Sequence, residues 1–114
     1  MADCLFCKIA NGEIQAGIVY QDKRLVAFKD RNPQAPTHIL VIPRKHIATL
    51  NDLSVEDDGL VGDMVRRAGL IAKKLGHAEE GYRTLFNCNA GAGQSVFHIH
   101  LHLLGGRVMI WPPG

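Results

Sequence analysis

Between Phe97 and Leu103 the chain alternates without a break: Phe, His, Ile, His, Leu, His, Leu. Side chains switch faces at each residue of a β-strand. This period of two therefore predicts a strand, running from Val96 to Leu104, with His98, His100 and His102 on one face. Phe97, Ile99, Leu101 and Leu103 take the other face, which belongs against a core. Successive imidazoles on such a strand lie about 6.7 Å apart. One ring of such a row can attack an electrophile while its neighbours carry protons and charge.

The segment just before the row, Asn89 to Ser95, is small and glycine-rich. Gly91, Gly93 and Ser95 allow a turn whose N–H groups and hydroxyl can hold phosphate oxygens. Anion loop and imidazole row adjoin in sequence, so both can touch one phosphate. Transfer at phosphorus needs mainly positioning and charge stabilisation. The rival reading is a zinc shared by histidines two apart on a strand. The two differ in their response to a chelator, which abolishes only the zinc chemistry.

The remaining elements place this row in an α+β domain. Cys4 to Ala10 reads as a short helix ending near Gly12. Ile18–Gln21 and Leu25–Lys29 read as a hairpin across Asp22-Lys23-Arg24, and Ile39–Ile42 as an apolar strand stopped by Pro43. Ser54 to Gly76 is the clearest helix. Ser54-x-x-Asp57 resembles a capping box, and Leu60, Val61, Met64, Val65, Ala68, Ile71, Ala72 and Leu75 form a stripe. Tyr82–Asn87 is a further strand. Strands, one long helix, then strands favour an antiparallel sheet with a helix on one face.

At 114 residues one domain is expected. The net charge of +2 is scattered, which argues against a nucleic-acid groove. Apolar runs fall far short of the ~20 residues that span a bilayer. With no basic-then-apolar leader and an odd three cysteines, a reducing cytoplasmic setting is expected.

His98-x-His100-x-His102-Leu103-Leu104 resembles the motif of the histidine triad (HIT) family. The likeness extends to Pro33-Gln34-Ala35-Pro36-Thr37-His38, Gly93-Gln94-Ser95-Val96-Phe97, Gly105-Gly106-Arg107 and Trp111-Pro112-Pro113-Gly114, which are similar to the Hint branch. The resemblance implies a HIT fold: a five-stranded antiparallel sheet with one long and one short helix, two sheets joining in a homodimer. It implies a hydrolase of purine nucleoside phosphoramidates and related aminoacyl-adenylates. His100 is then the nucleophile that forms a nucleotidyl-histidine. His102 contacts the phosphate, His38 and His98 orient the relay and help protonate the leaving amine, and Ser95 donates to the phosphate or leaving nitrogen. Asn87, Gly93, Gln94 and Val96 surround the phosphate. Asp30 takes the ribose hydroxyls, and Phe6, Ile9, Phe28 and Leu40 line the base pocket. Trp111 reaches toward the partner's site. Arg31 stands where isoleucine is common, which leaves adenine versus guanine open.

No cofactor is required for that chemistry. By the same resemblance, Cys4-x-x-Cys7 joins His46 and His98 in a structural zinc site; two buried thiols are the alternative. Two other functions stay open, a purine nucleotide-binding regulatory module and a dinucleoside polyphosphate hydrolase. His77 is expected to be solvated near a helix end.

Overall fold

In the computed structural model, which describes residues 3–114, the first hairpin closes on a side chain rather than a glycine. Strands β1 (Ile18–Gln21) and β2 (Leu25–Lys29) pair antiparallel. Between them Asp22 Oδ1 accepts the N–H groups of Arg24 and Leu25, both at 2.8 Å. This carboxylate turn explains how Asp22-Lys23-Arg24 reverses the chain. β3 (Thr37–Pro43), β4 (Arg83–Leu85) and β5 (Leu101–Gly105) complete a five-stranded antiparallel sheet in the order β1-β2-β3-β5-β4.

Both faces of the sheet are covered, which is why β2 and β3 read as unbroken apolar runs. Leu25, Ala27, Ile39 and Val41 pack with Leu101 and Leu103 beneath Leu60, Met64, Ala68 and Ile71 of the long helix. On the other face Val26, Phe28, Leu40 and Ile42 pack against Phe6 and Ile9 of α1 (Leu5–Ala10). The single helical layer expected from sequence is therefore two layers, because α1 carries its own apolar side.

The long helix α2 runs Asp58–Lys74, after a 3-10 turn at Val55–Asp57. It is shorter than Ser54 to Gly76 because both ends are capping structure. At the start, the Asp57 carboxylate accepts the Ser54 N–H at 3.0 Å. At the end, Gly76 adopts φ +86°, and the N–H groups of Gly76 and His77 turn back to the carbonyls of Lys73 and Ala72. That pair of bonds is a Schellman motif, for which glycine's left-handed freedom is suited. Val65 and Leu75, counted in the stripe, are about half exposed.

Two expected strands are shortened. Tyr82–Asn87 pairs only at Arg83–Leu85, and Val96–Leu104 only from Leu101 onward. The Ile99 N–H bonds the Ile47 carbonyl at 2.8 Å, outside the sheet, so the chain joins the ladder late. Phe97 leaves the core as a result and is 46% exposed. The facing holds nonetheless: Ile99, Leu101 and Leu103 enter the core under α2, while the His98 and His100 rings both meet Phe6 on the α1 side. His77 is not simply solvated. Its Nε2 bonds Thr37 Oγ1 at 2.8 Å, and its ring lies where a Cβ on Gly105 would fall. Among the described residues no helix is long and apolar enough to cross a membrane.

Candidate active site

The protonation pattern of the site follows from its hydrogen bonds. His100 Nδ1 lies 2.8 Å from the His98 carbonyl oxygen. A carbonyl only accepts, so Nδ1 carries the proton and Nε2 keeps a lone pair. His38 Nδ1 faces the Gln34 N–H at 3.0 Å and must accept, which puts its proton on Nε2. That Nε2–H donates to His102 Nδ1 at 2.9 Å and lies 3.3 Å from Asp30 Oδ2. The His102 proton is thereby assigned to its own Nε2, a buried atom with no hydrogen-bond partner among the described residues. The His100 and His102 rings are 5.0 Å apart. The site thus offers a free-base nitrogen beside an unsatisfied donor. A buried orphan donor is costly, and a ligand oxygen would satisfy it.

A cavity of about 720 Å³ opens onto these two rings. Asn87, Gly93, Ser95 and Val96 line it together with His100 and His102, next to the apolar side chains of Phe6, Ile9, Phe28 and Leu40; the Phe6 and His100 ring centroids are 5.0 Å apart. Asp30 and Arg31 lie on the wall. Asp30 is held by its Oδ1, which accepts the Asn32 N–H at 2.8 Å, and by its own N–H on the His38 carbonyl. Polar groups, the Ser95 hydroxyl among them, set beside apolar side chains give a cavity able to take a ligand that is partly anionic and partly aromatic.

Not every candidate residue lines the cavity. His38 acts from behind, through His102. Gln94 is buried and staples the loop: its Oε1 accepts the Asn89 N–H at 2.7 Å, and its Nε2 donates to the carbonyls of Ala48 and Val96. The His98 ring does not line it either; its Nε2–H donates to the Pro43 carbonyl at 2.7 Å. Its carbonyl, not its ring, orients His100. Trp111 is 82% exposed and outside the cavity. Conversely, Ile14, Gln15, Ala16 and Gly17 form part of the wall. Nothing in their residue types signals that role; it follows from their place between α1 and β1.

The other ring nitrogen of His98 serves a second cluster. Its Nδ1 is 3.3 Å from Cys4 Sγ and 3.5 Å from Cys7 Sγ, and His46 Nδ1 is 3.4 Å from Cys7 Sγ. All four ligand atoms lie within 4.8 Å of one another. The edges of a tetrahedron around zinc, with bonds of about 2.0–2.3 Å, are about 3.3–3.8 Å long. The His98 Nδ1 presented to the sulfurs is the unprotonated one, as a ligand must be. Cys4, Cys7, His46 and His98 therefore fit a zinc ion in donor type and spacing, and His98 in protonation as well. Burial, with a contribution from neighbouring Cys4, pushes the Cys7 thiol up to about 11, so a metal must displace its proton.

Burial, then the adjacent His100 and His38 rings, pushes His102 down to about 4. Burial likewise lowers His38, against the opposing pull of Asp30. Both rings are neutral near pH 7. When a histidine is harder to protonate folded than unfolded, the unfolded chain takes up protons first as pH falls. This stability is intact above the ordinary value of 6.5 and is lost progressively toward 4. His102 alone should cost about 2 kcal/mol at pH 5 relative to pH 8. Urea unfolding at the two values checks this; equal midpoints would refute it.

The sequence profile of the family described as "HIT domain" matches residues 11–109. The chain is 51% identical over 105 residues to the purine nucleoside phosphoramidase of Escherichia coli strain K12, covering 92% of this chain and 88% of that protein. A crystal structure of a HIT family hydrolase from Legionella pneumophila superposes with a TM-score of 0.97 at 58% identity, covering 98% of this chain and all of that one. The histidine triad nucleotide-binding protein of Candida albicans superposes with a TM-score of 0.81 at 31% identity, over 96% and 83% of the two chains.

Proposed function

Since the chain belongs to the HIT domain family, we propose that it hydrolyses the P–N bond of purine nucleoside 5′-phosphoramidates through a nucleotidyl-histidine on His100. Related aminoacyl-adenylates, with a mixed anhydride in place of the P–N bond, fit the same scheme. The observation that carries this reading is the free-base Nε2 of His100, fixed by the His98 carbonyl beside the unpartnered Nε2–H of His102. His100 Nε2 attacks phosphorus; the new N–P bond forms as the bond to the leaving amine breaks. His102 donates to a non-bridging oxygen where charge builds. The Ser95 hydroxyl, on the same wall, passes its proton to the leaving nitrogen, which departs as the amine, and recovers a proton from the water that attacks next. Water then attacks phosphorus, returning the His100 lone pair and releasing the nucleoside monophosphate. A rapid quench of excess adenosine phosphoramidate should show, by mass, one nucleotidyl group on the peptide holding His100. An adduct on another residue, or turnover without one, would overturn the assignment.

We further propose a structural zinc on Cys4, Cys7, His46 and His98. The ion would cross-link the start of α1 to the segments that follow β3 and precede β5, and supply no chemistry at phosphorus. We also propose a homodimer joined sheet to sheet. It is supported by the edge position of β4 and by the exposed Val108, Ile110 and Trp111 of the C-terminal segment. Sedimentation at micromolar concentration should give twice the chain mass; a monomer would remove the dimer.

A further inference from the structure

Six of the seven arginines in the chain are engaged. Arg24 and Arg66 reach Asp63, and Arg44 bonds the carbonyls of Asp22 and Ala10. Arg67 lies 4.0 Å over the Tyr20 ring, and Arg83 and Arg107 donate to the carbonyls of Ile110 and Gln34. Arg31 is the exception. It has no hydrogen-bond or ion-pair partner among the described residues, and it lines the cavity that holds His100. Its neighbour Asp30 is turned toward His38 and the Asn32 N–H, so no carboxylate neutralises it. The cavity's other rim cation, Lys29, lays its stem against Gly17, where a Cβ would sit 3.6 Å from it. Arg31 is exposed and lines the cavity, so it offers that cavity an uncommitted fork of N–H donors.

A fork of N–H donors selects a ligand edge with two acceptors. Among purines, guanine and hypoxanthine present O6 and N7, both acceptors, whereas adenine presents N7 beside an N6 amino donor. In the reading above the phosphate is already assigned to Ser95, Val96 and His102, which line the same cavity. We propose that Arg31 reads the base and makes 6-oxopurine nucleotides the preferred substrates over adenine nucleotides. This assignment rests on the nucleotide reading above and adds the identity of the base to it.

The test is direct binding of GMP, IMP and AMP to the whole protein by titration calorimetry. IMP carries O6 and N7 but lacks the 2-amino group of GMP. GMP and IMP should each bind about tenfold more tightly than AMP, the discrimination of a bidentate arginine contact at a partly exposed site. Arg31→Ala should bring all three within about twofold of one another, and Arg31→Lys, which keeps the charge but not the fork, should lose most of the gap. AMP binding as tightly as GMP, or a gap that survives Arg31→Ala, would overturn the assignment and leave the nucleotide reading standing. IMP behaving like AMP would overturn it too, by showing that the 2-amino group is what is read. Failure of all three to bind would remove both.

Discussion

Replacing His100 by Asn should lower turnover of adenosine phosphoramidate by about 10⁴-fold or more, while AMP affinity stays within about threefold, because the change removes a nucleophile rather than a binding surface. Asparagine is chosen for its geometry. Its amide nitrogen falls near the position of the imidazole Nδ1 and can still donate to the His98 carbonyl, which accepts at 2.8 Å in the native chain. What it lacks is the second nitrogen, the one facing the cavity. The covalent adduct should vanish with turnover. Residual activity within tenfold of the native chain would mean that water attacks phosphorus directly, and His100 would then be a binding residue.

The second large effect concerns zinc. Stripping metal with a strong chelator should lower the melting temperature by about 15 °C. The figure follows from about 4 kcal/mol for a site held a thousandfold above its dissociation constant and about 4 °C per kcal/mol for a domain of this size. Helix α1 has six residues, too few to persist alone in water. It carries Cys7 among the thiols and Phe6 and Ile9 on the cavity wall. Removing the metal should therefore loosen the wall and raise KM, with kcat at 20 °C largely retained. Elemental analysis showing no zinc, or a melting temperature unmoved by chelation, would remove the site. Loss of kcat at a temperature where the fold persists would instead favour a zinc at the reacting centre.

The alternation at Phe97–Leu103 was legible because burial on a sheet has a strict period of two. Ile99, Leu101 and Leu103 are deeply buried, and the histidines face the other way. Where the ladder begins was not legible. That depends on one long-range bond, from the Ile99 N–H to Ile47, which has no local signature. The same limit applies to Gln94. Its residue type is ordinary for a loop, and only the three-dimensional approach of Asn89, Ala48 and Val96 makes it a staple. The split duty of His98 also escaped the pattern. Period-two spacing says which way a ring points but not which of its nitrogens is engaged, and here both are spent on the Pro43 carbonyl and the thiols.

The groups that set the proton positions in this site are main-chain atoms: the carbonyl of residue 98 for His100 and the N–H of residue 34 for His38. Every amino acid supplies a carbonyl, and all but proline supply an N–H. Side chains at positions 98 and 34 can therefore drift without retuning the reacting imidazoles, provided the local backbone path is kept. A lineage that abandoned the Cys4–Cys7 cluster would be free to replace His98 and keep its chemistry, whereas proline at 34 would remove the N–H that His38 Nδ1 accepts and leave Asp30 alone to hold the His38 proton on Nε2.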